Sequence, residues 1–320
     1  MQSSARNKAI PLMTERLFRG FFLFQVKKRL LLGIDFFGFS IFNIFRREKK
    51  YFAKRGKMVV NKHKNVIIEK YSDYDEDARL IMDRGHNVEY LTTMRYIQKF
   101  AKVGDKILEI GAATGRYSIA LAKMGYEVTA VDLVPRHVEI MKSKTQKLKN
   151  FRCMVADALD LSMFKDNSFD MVLNFGPMYH LFHKKDKNRA IKETLRVAVK
   201  NGICMFAYLP CASFVTGYGL RHQYVARLCS AMDKIGRIKD MPEEVFTCFY
   251  IEDFKKLFDK TNTKYITNVA TDGLAYVMRE WVEQLPEDDY QAFLKWHFMT
   301  CERADQQGYS SHLLYICKKK

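Results

Sequence analysis

The chain has 320 residues, of which 48% are hydrophobic and 28% charged, and a formal net charge of +18. This length and apolar content exclude a disordered chain and allow one large domain or two small ones. The charge invites a nucleic-acid or membrane reading, yet residues 1–57 carry +11 of it and the remaining 263 residues only +7, so the body is mildly basic.

In RLFRGFFLFQVKKRLLLGIDFFGFSIFNIFRREKK (residues 16–50), Phe/Leu/Ile clusters alternate with Lys/Arg clusters. The longest apolar run, Leu30 to Phe45, is interrupted by Asp35, Ser40 and Asn43 and falls short of the ~20 residues a spanning helix needs. No small-residue cleavage site follows it, which argues against a secretory signal. Two readings of residues 1–57 stand. One is an interfacial anchor in weak contact with an anionic membrane surface. The other places the segment outside the working protein, with translation beginning at Met58. The ordinary soluble character of MVVNKHKNVIIEKYSDYDEDARL favours the second.

Residues 58–100 read as a helical cap. Leu80, Ile81, Leu91, Met94, Ile97 and Phe100 fall at three- and four-residue spacings, broken near Gly85. A catalytic domain is expected over 101–320. Strand-like runs at 106–110, 127–131, 151–155, 169–174 and 203–208 alternate with helical stretches at 115–124, 135–148, 160–164 and 184–199. This rhythm predicts an α/β fold: a doubly wound, Rossmann-like, mostly parallel sheet with helices on both faces. After Pro210 the pattern becomes irregularly helical, aromatic and basic, and residues 211–245 read as a helical lid insertion. IEDFKKLFDKT then reads as a helix, KYITNVA as a strand, residues 274–305 as two helices and HLLYICK as a closing strand. The seven cysteines (153, 204, 211, 229, 248, 301 and 317) show no CxxC pair and no Cys/His metal spacing. They predict neither a disulfide framework nor a zinc site, and fit thiols in a reducing, cytoplasmic compartment.

DKILEIGAATGRYSIALAKMGYEVTAVDLV (residues 105–134) is a strand, a glycine turn, a helix and a second strand. A dinucleotide site wants G-x-G-x-x-G, so that backbone N–H groups approach a pyrophosphate. Here Gly111 and Gly115 flank Ala113, and the fingerprint is incomplete. Glu109, two residues before the first glycine, would repel a pyrophosphate but suits the cationic sulfonium and ammonium of S-adenosylmethionine. Charge therefore selects S-adenosylmethionine over NAD. Asp132, followed by Leu133 after the second strand, can accept both ribose hydroxyls. Asp157, with Ala158 after the third strand, can take an adenine amino group. Alone, each acid has a plainer explanation, such as an exposed strand end or a helix cap; in series at consecutive strand tips they point to one ligand.

On these residues, ILEIGAATGRY…VDLV…VADALDL…FDMVLNFGPMYHLF resembles the motif series of the class I S-adenosylmethionine-dependent methyltransferases. It is similar in particular to a bacterial subgroup with a G-P-M/L-Y-H-L element after the fourth strand. The resemblance covers about four fifths of the chain and excludes residues 1–57. It implies a seven-stranded sheet whose last strand is antiparallel. Glu109, Gly111, Ala113 and Gly115 would line the methionine moiety, with Asp132 at the ribose and Asp157 at the adenine. Ala113 departs from the glycine more usual there.

Methyl transfer is an in-line displacement on an activated carbon, so alignment and desolvation dominate, with a base only if the acceptor must lose a proton. The segment NFGPMYHLFHKKDK stands where the methyl group would emerge, and Asn174, Tyr179 and His180 are its candidates. Asn174 joins the cofactor set, while Tyr179 and His180 are the catalytic candidates. The alternative for Tyr179 and His180 is packing and hydrogen bonding within the lid. In the cap, Tyr74, Arg79, His86 or Tyr90 could reach the cofactor. KWHFMTCER places Trp296, His297, Cys301 and Arg303 on one late helix, with His297 and Arg303 as acceptor contacts. The leading reading is methyl transfer to a small molecule. A nucleic-acid methyltransferase fits less well, because Asn174-Phe175-Gly176-Pro177 is not the Asp/Asn-Pro-Pro-Tyr loop of base N-methylation. A cofactor-binding protein without catalysis is the third reading.

Overall fold

Strand β1 (Lys106–Ile110) is buried at every position after its first residue, an apolar run that only a central strand covered on both faces accommodates. The computed structural model describes residues 60–72, 79–221, 223–234, 236, 238 and 245–320. The chain divides into two units, Met1–Met58 and Val59–Lys320, and all described residues belong to the second. The expectations for residues 1–57 and for Tyr74 lie outside them. Among the described residues no helix is long and apolar enough to cross a membrane.

The strands are β1, β2 (Glu127–Asp132), β3 (Phe151–Val155), β4 (Phe169–Asn174), β5 (Ala198–Tyr208), β6 (Thr263–Ala270) and β7 (Leu313–Lys319). They form one sheet in the order β3-β2-β1-β4-β5-β7-β6. All pairings are parallel except those of β7, which runs antiparallel to both β5 and β6. This is the class I methyltransferase sheet. Strand order reverses between β1 and β4, and in such sheets ligands settle at the carboxyl edge beside that reversal.

The helices are α1 (Val60–Ser72), α2 (Arg84–Phe100), α3 (Arg116–Lys123), α4 (Pro135–Thr145), α5 (Lys184–Val197), α6 (Val225–Ser230), α7 (Ile251–Lys256), α8 (Leu274–Val277), α9 (Arg279–Glu283), α10 (Glu287–Thr300) and α11 (Ala304–Gln307). Helix α3 packs on β2, α4 on β2 and β3, and α5 on β4 and β5. At the β5–β7 side, Tyr208 stacks on Phe254 at 3.8 Å and Phe258 on Tyr315 at 4.2 Å, centroid to centroid.

Several elements differ from expectation. The expected break falls at residues 82–83, just before Gly85 and not at it. Gly85 lies in the first turn of α2, behind the N-cap Asp83, whose Oδ1 accepts from His86 N at 2.8 Å. A Cβ at Gly85 would lie 2.8 Å from Arg279 Cβ and 3.0 Å from the Ala275 carbonyl oxygen, so the glycine permits close approach of α8 and α9. Residues 160–164 are turns, and the end of the helix expected over 184–199 is already β5. Residues 274–305, expected as two helices, hold the 14-residue α10 flanked by the short α8, α9 and the start of α11. The segment after Pro210 turns through Cys211–Ser213 into a π-helix, Phe214–Gly219, before α6. The expectation of unpaired thiols is corrected: Cys211 and Cys248 form a disulfide that joins the two ends of this segment.

Candidate active site

Four polar residues stand side by side along the carboxyl edge: Asp157 just past β3, Asp132 ending β2, Glu109 in β1 and Asn174 ending β4. The chain turns at Gly111 with φ +81°, where any Cβ would collide with the Phe175 carbonyl. Phe175 N donates to Ile110 O at 2.9 Å, closing the turn onto the post-β4 segment.

Ala113 also holds a positive φ, +47°, which costs an L-residue energy unless its surroundings enforce it. The enforcing contact is Asp132, whose Oδ2 accepts from Ala113 N at 2.7 Å. Its Oδ1 accepts from Val134 N at 2.8 Å and faces His137 Nδ1 at 3.1 Å. The acid thus braces the loop around Leu133 as well as the glycine turn.

Glu109 is 2% exposed, and the Ser118 hydroxyl donates to it. Burial pushes its carboxyl up to about 7, against the pull of the Ser118 bonds, and the neighbouring Asp132 charge pushes the same way. Among the described residues no cation pairs with it. Asn174 is fully buried. Thr194 spends its one O–H on the Ala190 carbonyl at 2.8 Å and accepts from Asn174 Nδ2 at 3.0 Å. The Asn174 Oδ1 is left buried with no hydrogen-bond partner. Asp157 folds back to accept from Leu159 N at 2.9 Å, across buried Ala158, and pairs with Lys64 of α1 at 3.0 Å.

His180 donates from Nδ1 to the Val245 carbonyl at 2.8 Å, which leaves Nε2 as acceptor from the Tyr71 hydroxyl at 3.2 Å. Tyr71 also meets His137 edge-on at 6.1 Å. Tyr179 packs its ring against His180 at 5.0 Å and His312 at 5.8 Å. Tyr117, stacked on Tyr90 at 5.4 Å and edge-on to Phe175 at 5.5 Å, walls the same region.

The two late candidates are placed elsewhere. His297 is 2% exposed, with Nε2 3.0 Å from Thr92 Oγ1, and burial pushes its imidazole down to about 4. It is a neutral core histidine and not an exposed acceptor contact. Arg303 lies beyond α10, which ends at Thr300, and is an exposed partner of Asp305 at 3.1 Å. Hydrophobic closure of α10 buries one side of the helix, and the chain turns before Arg303 can share that side.

Sequence reading missed Lys64, Tyr71 and His137, and also a buried cluster at the carboxyl edge by β6 and β7, of which it had singled out Arg79 alone. There Arg79 donates to both oxygens of Glu89 at 3.0 and 3.3 Å. Although burial raises it, the Arg79 guanidinium, aided by His312, holds the Glu89 carboxyl down at about 2. Asp272, Ser310, Ser311 and His312 adjoin it. Residue type alone gave no signal, because these positions are brought together only by β6 and β7.

Residues 108–206 match the family model described as a methyltransferase domain. The demethylmenaquinone methyltransferase of Staphylococcus haemolyticus (strain JCSC1435) is 36% identical over 129 residues, 38% of this chain and 52% of that protein. That of Staphylococcus aureus (strain JH9) is 34% identical over 127 residues, 37% and 51% of the two chains. The chain spans about half the length of the curated relatives it matches. Among solved structures, Haemonchus contortus phosphoethanolamine N-methyltransferase 1, in complex with phosphoethanolamine and S-adenosylhomocysteine, superposes with a TM-score of 0.53 at 13% identity. The match covers 82% of this chain and 50% of that one. The PH0226 protein from Pyrococcus horikoshii OT3 gives a TM-score of 0.50 at 17% identity, covering 79% and 99%. These likenesses show the fold.

Proposed function

We propose that this chain, built on the class I methyltransferase fold with a methyltransferase domain over residues 108–206, transfers a methyl group from S-adenosylmethionine to a small-molecule acceptor. One observation carries the reading: Glu109, at the carboxyl edge of β1, is a buried carboxylate that meets the Ser118 hydroxyl but, among the described residues, no cation. A buried carboxylate without a counter-charge is costly, and an α-ammonium group supplies the missing charge and further donors. The residues present fit the cofactor. Gly111, Ala113 and Gly115 present backbone, Asp132 keeps a spare lone pair on Oδ2 for a ribose hydroxyl, and Asp157 with Ala158 stands at the adenine end. When bound, S-adenosylmethionine supplies an activated methyl carbon, and the protein supplies alignment and exclusion of water.

Helix α1 and residues 211–245 act as cap and lid. Lys64 covers Asp157, and the Tyr71–His180–Val245 chain ties cap to lid. His180 is thereby read as the latch between them, and Tyr179 as a wall of the acceptor space. A small acceptor is favoured by the names of the curated relatives, which act on demethylmenaquinone, and by the mildly basic body of the chain.

Calorimetric titration tests the cofactor reading. S-adenosylmethionine is expected to bind and NAD to leave no heat; binding of NAD with silence toward S-adenosylmethionine overturns it. A screen that follows S-adenosylhomocysteine release, with reduced demethylmenaquinone among the acceptors, tests the transfer.

A further inference from the structure

Resting on the methyl-transfer reading, we infer that His312 is the acceptor-side base, with Nε2 taking the proton of a hydroxyl, amine or thiol acceptor while Glu89, Ser311 and Asp272 position the ring. Topology places it well. Leu313, the first residue of β7, pairs with Tyr208 at the end of β5 and Ala270 at the end of β6. Because β7 is antiparallel, the residue before it arrives at the carboxyl edge, where the methyl acceptor must lie. Tyr179, from the post-β4 segment, touches the imidazole edge-on there at 5.8 Å.

Hydrogen bonding sets the tautomer. The single O–H of Ser311 is donated to Asp272 Oδ2, so its oxygen can only accept from His312 Nδ1, 2.9 Å away. Glu89 Oε2 lies 3.5 Å from the same nitrogen. Asp272 Oδ1 is held by Ser311 N, which donates to it at 2.8 Å, and lies 2.5 Å from Ser310 Oγ, whose one O–H it shares with the His312 carbonyl at 2.6 Å. With the proton held on Nδ1, the Nε2 lone pair is exposed. Among the described residues Nε2 meets no hydrogen-bond partner, and the side chain is 19% exposed. Burial, and the charges of Arg79 and His86, keep the ring neutral, while Glu89 opposes them. This is the base form.

In the step itself, the acceptor's nucleophilic atom, the heteroatom that carries the proton or, in a quinol, the ring carbon conjugated with the hydroxyl, bonds to the methyl carbon as the carbon–sulfur bond breaks with its electron pair to sulfur. The acceptor proton passes to His312 Nε2, and the resulting imidazolium faces Glu89. Glu89, Asp272 and His312 also offer three atoms within 4.8 Å of one another that could hold a metal. The Arg79 guanidinium already occupies both Glu89 oxygens, which opposes a second cation.

Nitrogen-15 NMR of the histidine-labelled full chain with S-adenosylhomocysteine tests this, the His312 signals being assigned by their loss in His312→Gln. The wild type should show the Nδ1–H tautomer. Asp272→Asn should switch it to Nε2–H, because the amide donates to Ser311 and turns the hydroxyl toward His312. An Nε2–H tautomer in the wild type, an unresponsive ring in Asp272→Asn, or broadening by added Zn²⁺ at stoichiometric concentration would overturn the inference. With reduced demethylmenaquinone as probe, His312→Gln should lower kcat by ~10²–10⁴-fold at unchanged affinity for S-adenosylmethionine; an equal kcat also overturns it. Failure of the wild type to bind S-adenosylmethionine would instead sink the methyltransferase reading, leaving the tautomer to be judged separately.

Discussion

Glu109 sits near 7 in the folded chain, against 4.5 for a free glutamate. Between those values the folded chain holds a proton that the unfolded chain has released. The stability this group contributes is therefore complete below about 4.5 and lost as pH rises through 7. Glu109→Gln should then stabilise the unliganded protein more at pH 8 than at pH 5, read as melting temperature. The same change should weaken S-adenosylmethionine binding by about ten- to a hundredfold, the range for a lost charged hydrogen bond, read by calorimetry. A variant that binds normally would show that the ammonium lies elsewhere. Ala113 offers an independent probe. Its φ of +47° favours glycine, so Ala113→Gly should raise stability by up to ~1 kcal/mol, with Asp132 still accepting from the backbone. A lower melting temperature would mean that the turn carries no strain.

At the scale of elements, the proposed lid is tied at its base. Cys211 opens the lid and Cys248 closes it, and the stem is zipped by Cys211 N to Phe249 O and Phe249 N to Leu209 O, both 2.9 Å. Closing a loop of this size removes roughly 3–4 kcal/mol of chain entropy from the opened state. Reduction, or Cys248→Ser, is therefore expected to speed proteolysis within the lid while the melting of the sheet stays in place; equal cleavage rates would show that the disulfide does not restrain the lid. The parts the sequence revealed and those it hid divide along the same line. Strands β1 to β4 were legible because each is a short apolar run followed at once by a turn, and so was the placement of Glu109, Asp132 and Asp157 at the carboxyl edge, because each sits on such a tip. Helix was legible over 274–305, but its division was not, because α8, α9 and α11 are each too short to show a period. The Cys211–Cys248 pair and the Glu89–His312 cluster were also hidden, since their partners are distant in sequence and meet only through tertiary packing.

For the whole molecule, every residue assigned to the site lies in the unit Val59–Lys320. Removal of residues 1–57 is expected to leave the dissociation constant for S-adenosylmethionine within about twofold, by calorimetry on both forms; lost binding in a folded protein would bring the segment into the site. The sheet order has a further consequence, for how the molecule is made. Strand β7 follows β5 and β6 in the chain yet lies between them, so β6 has no neighbour until β7 exists. During synthesis the edge of β5, with Cys204, Met205 and Phe206 in its middle, stays open while everything from Tyr208 to Leu313 is translated. An open apolar edge recruits other chains, and long-range pairings form slowly. Closure of the sheet is thus the last folding event on the ribosome or after it, and substitutions in β7 will be felt first as lost yield and chaperone dependence, before any loss of activity.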